Sequence, residues 1–462
     1  MSGMPLVLPS SLMVSVSGFR GRVGDPLTPE LMAGLAAGFG SFLRAEHSGH
    51  TVFLGRDSRT SGTMFEAAAA AGLASVGMDV VRLGIVPTPT LLMAARDAGA
   101  AGALGVTASH NPAEWNALKF AGGDGMFLDG PRMHRFQSSL RDGDPVRAAW
   151  DELGGIRDDD EAIDRHVAQI LELPFLELEA LRERAFHVAL DCVQGAGGLA
   201  VPRLLEALGC TVSAMGMEAD GHFPRDPEPT AANLSGLGAL VRESGAELGF
   251  AVDPDVDRLS LVDETGRPLG EDLTLALCAA TVLKRRSGPV VTNLSTSRVV
   301  EDVARDAGVE FTLAPVGEIN VSRAMQEVGA VIGGEGNGGV ILPTLHGTRD
   351  ALVGMALILQ HLIDREASLG EAAAEWPEYR IVKEKAAFPR DRLDEGYAAL
   401  RRALPATRVD TTDGLRLDWP EEGRWLHVRP SGTEPVVRFI AEARDEQGAR
   451  ELIAAAREAL DG

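Results

Sequence analysis

A serine and a histidine stand side by side in the segment Thr107-Ala108-Ser109-His110-Asn111-Pro112, here called the serine loop. The loop directly follows an apolar run, residues 103–106, which predicts a buried strand. The Ser109 hydroxyl is therefore expected at the carboxyl end of a strand, where open α/β sheets bind their ligands. Adjacent strand residues point to opposite faces, and a hydrolase-type Ser/His pair normally comes from distant segments. The pair alone therefore does not define the chemistry.

Three aspartates alternate in Asp253-Pro254-Asp255-Val256-Asp257-Arg258, the acidic loop, which follows the apolar residues 248–252. On a locally extended backbone these carboxylates would point the same way and repel one another unless a cation lay between them. Ligation by oxygen alone suits Mg²⁺. An EF-hand is disfavoured, because its sixth position requires glycine where this chain has Arg258 and because the flanks are typical of strands. A solvated acidic turn without a metal is the remaining alternative.

Two further turns carry polar groups suited to a phosphorylated sugar. Residues 333–339, the glycine loop, let a backbone approach a ligand closely, and Glu335 and Asn337 supply an acceptor and a mixed donor and acceptor for hydroxyls. Residues 429–435, the arginine loop, offer a guanidinium, two hydroxyls and backbone N–H groups, a set that suits a phosphate dianion. Taken singly, these loops also fit a plain glycine-rich turn and a capped hairpin turn.

Together with Ser17-Gly18-Phe19-Arg20-Gly21 near the amino terminus, the four loops resemble the α-D-phosphohexomutase superfamily in type and in order. The resemblance runs nearly end to end. It implies a phosphorylated serine at Ser109, one Mg²⁺ per chain, and two cations facing the transferring phosphoryl group. The implied metal ligands are Ser109, Asp253, Asp255 and Asp257; the implied catalytic residues are Ser109, His110, Lys119 and Arg20; the implied substrate-binding residues are Arg258, Glu335, Asn337, Arg429, Ser431, Gly432 and Thr433.

Lys119 is one of only four lysines in the chain, whose other basic positions are nearly all arginine. A lysine can give up its proton where an arginine cannot, so Lys119 is the candidate to exchange a proton with the sugar oxygen. His110 is expected to orient the reacting groups or to act as a second acid or base. A purely structural hydrogen-bonding role for His110 also stays open.

The resemblance implies interconversion of hexose 6-phosphate and hexose 1-phosphate through a phosphoserine enzyme and a 1,6-bisphosphate intermediate, which also serves as activator. Pro430 and Gly432 favour a glucosamine phosphate substrate, because the phosphoglucomutase/phosphomannomutase branch usually has an asparagine at the position of that glycine. The glycine loop departs from bacterial members, which carry a serine and a terminal histidine where this chain has Asn337 and Gly339, and it is similar to that of archaeal-type phosphoglucosamine mutases. Glucose or mannose phosphate is the alternative substrate.

Two other functions use the same residues. A Mg²⁺-dependent sugar phosphatase could use Ser109 and the aspartates, but a hydrolase has no need of a separate clamp for a second phosphate. A non-catalytic sugar-phosphate sensor would not need Ser109, Lys119 and all three aspartates together. Both are therefore less favoured than a mutase.

The composition sets limits on partners and location. With 462 residues and a net charge of −23, the chain would be repelled by nucleic acid and by anionic membranes. A phosphorylated substrate then requires a locally positive site. Three widely spaced cysteines predict free thiols in a reducing compartment, and no segment fits a signal peptide or a membrane span. We expect a cytoplasmic monomer or homodimer that acts on small sugar phosphates.

A strand-helix-strand unit recurs three times, with strands predicted at residues 52–54, 188–190 and 290–291 and a glycine near each helix end. This spacing predicts an α/β protein with three similar mixed α/β sandwich domains plus a C-terminal α+β domain, arranged around a central cleft. The predicted boundaries are 1–153 for the serine-loop domain, 154–257 for the metal-binding domain, 258–369 for the sugar-binding domain and 370–462 for the C-terminal domain. That last domain is expected to rock over the cleft.

Overall fold

The computed structural model of the protein describes residues 6–47, 49–143, 145–430 and 436–461. The amino-terminal elements form one sheet with helices on its two faces. They are β1 (Met13–Ser15), β2 (Gly18–Arg22), α1 (Pro29–Glu46), β3 (Thr51–Arg56), α2 (Gly62–Ala74), β4 (Asp79–Ile85), α3 (Thr88–Asp97), β5 (Gly102–Val106), β6 (Trp115–Gly122), α4 (Gly130–Asp142) and β7 (Ile156–Asp158). Thr28 begins α1, since its hydroxyl accepts from Leu31 N and a proline follows it.

Two more sheets follow. The second body of the chain consists of α5 (Ala162–Leu171), α6 (Leu178–Arg184), β8 (His187–Asp191), α7 (Gly197–Ala207), β9 (Thr211–Met215), α8 (Ser235–Ser244), β10 (Leu248–Val252) and β11 (Leu259–Val262). The third consists of α9 (Glu271–Arg285), β12 (Val290–Asn293), α10 (Val299–Asp306), β13 (Phe311–Ala314), α11 (Glu318–Val328), β14 (Ile332–Glu335), β15 (Gly339–Ile341), α12 (Ala351–Arg365) and α13 (Leu369–Ala373).

The three sheets share one topology, which confirms the predicted repeat. The strand orders are β4-β3-β5-β6, β9-β8-β10-β11 and β13-β12-β14-β15, and the first sheet is extended at both edges. In each order the first three strands are parallel and the fourth is antiparallel. The serine, acidic and glycine loops all join the third strand of their sheet to the fourth. The three chemically distinctive loops therefore occupy the same topological position, at the carboxyl end of a buried parallel strand.

One apolar core joins the three α/β bodies. It runs from Phe53 on β3 through Leu190 on β8 to Ile332 on β14, and α12 lies at its centre with nearly its whole length buried. Because the sheets share this core, the loops at their strand ends are held in fixed relative positions.

The carboxyl-terminal elements form a separate antiparallel sheet in the order β16-β20-β19-β18-β17, with two helices packed on it. They are β16 (Arg380–Ala387), α14 (Leu393–Ala403), β17 (Arg408–Asp410), β18 (Leu415–Trp419), β19 (Arg424–Pro430), β20 (Val436–Ala443) and α15 (Glu446–Asp461). Short 3₁₀ turns occur at Ala231–Asn233, Arg390–Arg392 and Pro420–Glu422. This body has its own core around Leu417, Leu426 and Phe439. The predicted C-terminal α+β domain is confirmed.

Three smaller predictions concern a domain boundary, the cysteines and membrane spans. The boundary that we predict after residue 257 separates β10 from β11, although Val252 pairs with Leu259 in one antiparallel hairpin; the domain boundaries themselves stay predictions.

The three cysteines are free, Cys192 and Cys278 being buried and Cys210 half-buried. In the described part of the chain, no helix has the length and apolar character required to cross a membrane.

Candidate active site

The serine loop begins at the end of β5 and places Ser109 in a left-handed backbone conformation, with φ at 51°. Ser109 is buried, and its backbone N–H donates to Thr107 Oγ1 over 3.0 Å. Its hydroxyl donates to Asp253 Oδ2 over 2.8 Å, a contact that spans 144 positions of the chain. A non-glycine residue with positive φ is strained, and such residues cluster at functional sites. The structure thus brings the serine loop and the acidic loop into direct contact.

Arg59, which follows β3, holds the serine loop in this shape. Its side chain is fully buried and donates five hydrogen bonds, one to Asp57 Oδ2 and four to main-chain carbonyl oxygens. The four carbonyls belong to the serine loop and its neighbour Trp115, and they lie 2.6–3.0 Å from the guanidinium; they are those of Ser109, Asn111, Pro112 and Trp115. Sequence reasoning missed Arg59. The available signal was its place directly after the first strand of the repeated unit.

The acidic loop does not have the extended backbone that we predicted. It is a turn, in which Val256 adopts a φ of 60° and Val256 N donates to Asp253 O. The three carboxylates nevertheless converge, and one oxygen from each lies within 4.8 Å of the others. Buried between two strand ends, the turn brings the side chains together by reversing the chain rather than by strand alternation.

The donor set fits a hard divalent cation. Asp255 Oδ1 and Asp257 Oδ1 are buried and have no hydrogen-bond partner among the described residues. Unpaired buried carboxylate oxygens are costly unless a cation binds them. Desolvation and the neighbouring Asp257 and Asp255 raise the pKa of Asp253 well above its ordinary value. The triad is therefore a candidate metal site of oxygen ligands, which Mg²⁺ prefers.

Lys119 reaches the acidic loop from β6. Its ammonium lies 2.8 Å from Asp255 Oδ2 and 4.0 Å from Asp257 Oδ2, and Thr88 Oγ1 donates to the same Asp255 oxygen over 2.8 Å. Burial opposes the charged form of Lys119, but the two carboxylates outweigh it and raise the pKa of Lys119 above its ordinary value. In this arrangement Lys119 is a buried ammonium ion.

His110 directly follows Ser109 and contacts its hydroxyl. Its Nδ1 is 3.3 Å from Ser109 Oγ, and its Nε2 is 3.8 Å from Glu228 Oε1. Burial, together with the charges of Arg258 and Arg20, lowers the pKa of His110 well below its ordinary value, so its imidazole is neutral. A neutral imidazole beside a hydroxyl can accept a proton. Glu228, which sequence reasoning also missed, connects His110 to Arg258 by accepting from Arg258 Nη1 over 2.9 Å.

Arg20, on β2, donates to Asn111 Oδ1 of the serine loop. Arg258 lies at the end of the acidic loop, where its N–H donates to Asp253 Oδ1 over 3.2 Å. With Lys119, these residues place three cations in contact with the serine loop or the acidic loop, in a chain of net charge −23. A phosphate could be bound here despite the acidic surface, because short-range charges outweigh a screened distant field.

Glu335 of the glycine loop lies close to the acidic loop but does not touch Ser109. Its Oε1 accepts from Asn293 Nδ2 over 2.8 Å and from Gly317 N over 3.1 Å, and its Oε2 accepts from Arg349 Nη1 over 2.8 Å. Asn337 Nδ2 is 3.4 Å from the same Oε2. Leu259 N donates to Gly338 O, which packs the glycine loop against the end of the acidic loop. Arg349 is the third functional candidate that sequence reasoning missed.

Among the described residues, Arg429 makes no direct contact with another of the predicted site residues. Within the described ranges its ion-pair partner is Asp413, 3.1 Å from Arg429 Nε, and Asp413 in turn accepts from Val316 N over 3.0 Å. Gly317, the next residue, donates to Glu335. The predicted clamp residues Ser431, Gly432 and Thr433 lie outside the described residues.

Comparisons with known proteins agree with this layout. The four domain models of phosphoglucomutase/phosphomannomutase match in order: α/β/α domain I at residues 12–145, domain II at 164–266, domain III at 270–379 and the C-terminal domain at 381–459. The chain belongs to this family. The candidate active site described above therefore lies in a member of this family.

Relatives and solved structures match over nearly the full length. A probable phosphoglucosamine mutase of Methanopyrus kandleri is 38% identical over 440 residues, which cover 94% of this chain and 95% of the relative. A phosphoglucomutase/phosphomannomutase of Thermococcus kodakarensis is 37% identical over 446 residues, covering 94% and 95%. A family protein of Burkholderia thailandensis has a crystal structure with a TM-score of 0.84 at 28% identity, covering 97% of this chain and 98% of that one.

Proposed function

We propose that this protein is a phosphohexomutase that interconverts the 6-phosphate and 1-phosphate of a hexose through a phosphorylated Ser109. One observation carries the proposal: in a chain of this family, the Ser109 hydroxyl lies 2.8 Å from Asp253. Asp253 belongs to a buried triad of carboxylates in which two oxygens have no hydrogen-bond partner among the described residues. Phosphoryl transfer requires positioned positive charge more than covalent chemistry from the protein.

In the proposed cycle, the bond between phosphorus and Ser109 Oγ breaks and a bond from phosphorus to the free sugar hydroxyl forms. The hydroxyl proton passes to the neutral His110 imidazole, which lies 3.3 Å from Ser109 Oγ and can return the proton to that oxygen. Lys119, an ammonium ion, is the candidate proton donor. The resulting 1,6-bisphosphate turns around, and its other phosphate returns to Ser109 Oγ. Asp253, Asp255 and Asp257 would hold one Mg²⁺, which when bound supplies charge to the transferring group.

The substrate that we propose is glucosamine 6-phosphate, converted to glucosamine 1-phosphate. This rests on Gly432, on the glycine loop with Asn337 and Gly339, and on the name of the Methanopyrus relative. The Thermococcus relative, named for glucose and mannose phosphates, is nearly as similar, so these sugars form the second candidate class. Arg429 with Ser431, Gly432 and Thr433 would bind the non-reacting phosphate, and Glu335 and Asn337 the sugar ring. A hexose 1,6-bisphosphate is the proposed activator, and three free cysteines support a reducing, cytoplasmic location.

The test compares kcat/KM for the 6-phosphates of glucosamine, glucose and mannose, with Mg²⁺ and a catalytic amount of the matching 1,6-bisphosphate. We expect the highest value for glucosamine 6-phosphate. Equal or higher values for glucose or mannose would change the substrate and leave the mechanism intact.

The variant Ser109→Ala separates the mutase from its rivals. Alanine lacks the group that is phosphorylated, so we expect mutase turnover to fall by roughly 10⁴-fold or more and the phosphorylated species to disappear from the intact mass spectrum. A sensor would bind sugar phosphate with or without the hydroxyl and lose no turnover. Release of inorganic phosphate from the wild type as the main product would instead support the sugar phosphatase.

A further inference from the structure

Arg349 lies between the acidic loop and the glycine loop and contacts both. Its Nη2 is 2.6 Å from Asp257 Oδ2, and its Nη1 is 2.8 Å from Glu335 Oε2. Its Nε is 3.3 Å from Glu318 Oε2, and its backbone N–H donates to Glu318 Oε1 over 2.9 Å. A single buried cation therefore contacts three carboxylates from three separate segments, and none of the three side chains is more than 10% exposed. A planar guanidinium fixes the spacing of the groups that it binds, whereas an ammonium ion does not.

The path of this side chain depends on a glycine. A Cβ added at Gly339 would lie 2.2 Å from Arg349 Cδ and 2.9 Å from Cγ. Real Cβ atoms do not approach other atoms so closely, so the stem of Arg349 fills the space that a side chain at position 339 would occupy. Gly339 and Arg349 thus act as a pair: the absence of one side chain makes room for the other.

The backbone that carries Arg349 is firmly held. The next residue, Asp350, begins α12, and its Oδ1 accepts from Leu352 N and Val353 N. Its Oδ2 lies 2.9 Å from His166 Nε2 and 3.1 Å from His346 Nε2, and all three side chains are buried. Arg349 directly precedes this N-cap. A charged side chain next to a rigid helix terminus is held more precisely than one on a mobile loop.

We propose that Arg349 is a positioning residue for phosphoryl transfer, which sets the distance between the acidic loop and the glycine loop by binding Asp257 with one nitrogen and Glu335 with the other. The inference rests on the proposed function, because it takes Asp257 as a metal ligand and Glu335 as a sugar contact. Without Arg349, the one contact of Glu335 Oε2 left among the described residues would be that to Asn337 Nδ2, at 3.4 Å. The sugar ring and the phosphoryl group would then no longer be held in one geometry.

The test uses a charge-matched variant, because Arg349→Gln alone would leave three buried carboxylates with one cation fewer and could unfold the chain. The double variant Arg349→Gln with Glu318→Gln removes one charge of each sign, and Glu318→Gln alone is its reference. A second variant, Gly339→Ala, displaces the Arg349 stem without removing any charged group. Each is measured for kcat, for KM with glucosamine 6-phosphate, for thermal unfolding and, by calorimetry, for the Kd of Mg²⁺.

We expect the double variant to lose about 100-fold in kcat relative to Glu318→Gln, since a displacement of about 1 Å can cost that much. KM should change by less than about threefold, because the main phosphate contacts proposed for binding lie in the arginine loop. The Kd for Mg²⁺ should stay the same or fall, since a cation beside the carboxylates has been removed. Gly339→Ala should lose at least roughly tenfold in kcat, and Arg349→Lys should recover only part of the loss because an ammonium cannot bridge both loops.

Two results would overturn the inference. A double variant that keeps the kcat of its reference and only unfolds at a lower temperature would make Arg349 a purely structural residue. A Kd for Mg²⁺ raised more than about tenfold would mean that activity was lost with the metal and not through position. Either result, with an active wild type, leaves the proposed function intact, whereas a wild type without mutase activity would overturn both.

Discussion

Replacing Arg59 with lysine tests how the strained conformation of Ser109 is maintained. Arg59 uses all five of its side-chain N–H groups, whereas a lysine ammonium has three protons and a shorter reach. At least two of the four carbonyl oxygens would lose their partner. An unsatisfied buried polar group costs about 1–3 kcal/mol, and because three of the four contacts are only partly buried, the two lost contacts together cost at most roughly 2–6 kcal/mol. The charge that pairs with the buried Asp57 is kept, which limits the effect to the lost hydrogen bonds.

Part of that cost should appear as misplacement of Ser109. The left-handed backbone of Ser109 is itself unfavourable by about 1–2 kcal/mol and is tolerated because Arg59 binds its carbonyl oxygen. Once the carbonyl is released, we expect the loop to relax and the hydroxyl to move away from Asp253. A movement of about 1 Å would lower kcat roughly 100-fold.

The assay combines mutase kinetics, urea unfolding and intact mass spectrometry of the phosphorylated fraction. The control is Arg82→Lys. Arg82 makes an exposed bidentate ion pair with Asp158 on the same sheet, and this pair should contribute about 1 kcal/mol or less to the free energy of unfolding. If Arg59→Lys had the kcat, the unfolding midpoint and the phosphorylation level of Arg82→Lys, the argument from the carbonyl contacts would be wrong.

Three further outcomes are expected. Asp255→Asn should raise the Kd for Mg²⁺ at least about tenfold and lower kcat by roughly three orders of magnitude, and full activity at trace Mg²⁺ would contradict the ligand assignment. Arg429→Ala should raise KM roughly 10- to 100-fold with little change in kcat, the equivalent of one charge-assisted contact of about 1.5–3 kcal/mol; steady-state kinetics with an unchanged KM would remove Arg429 from the clamp. Burial raises the pKa of Glu442 from 4.5 to about 7, so the folded state keeps this proton where the unfolded chain has released it. The free energy of unfolding should therefore fall by up to about 3 kcal/mol as pH rises from about 4.5 to 7. Urea unfolding can be followed by the fluorescence of Trp425, whose Nε1 lies 2.7 Å from Glu442 Oε1. In the variant Glu442→Gln this part of the pH dependence should be absent.

The predictions that held were those that depend on short stretches of chain. The buried strands before Ser109 and Asp253 follow from apolar runs of four and five residues, and they are present as β5 and β10. The convergence of the aspartates was also expected, although the reason given for it was wrong: Val256 reverses the chain in a left-handed turn that hydrophobic periodicity does not reveal.

Arg59, Glu228 and Arg349 were missed for a different reason. Each is a single charged residue outside the distinctive motifs, and by its residue type alone it cannot be told from a solvated surface charge. The structure identifies Arg59 by the four carbonyl oxygens that its guanidinium binds. It identifies Arg349 by its side-chain stem, which occupies the place of a Cβ at Gly339. Burial and partners of this kind exist only after distant segments have packed together.

The amino-acid sequence by itself determined the repeated α/β units, the separate carboxyl-terminal body and the type of chemistry, because these depend on apolar periodicity and on residues that are neighbours along the chain. The tertiary structure alone decided which of the charged residues share one site. Ser109 and Asp253 are 144 positions apart, and Arg349 and Asp257 are 92 apart. The order of strands in three sheets, held by a common core, sets these contacts, and no local pattern encodes that order.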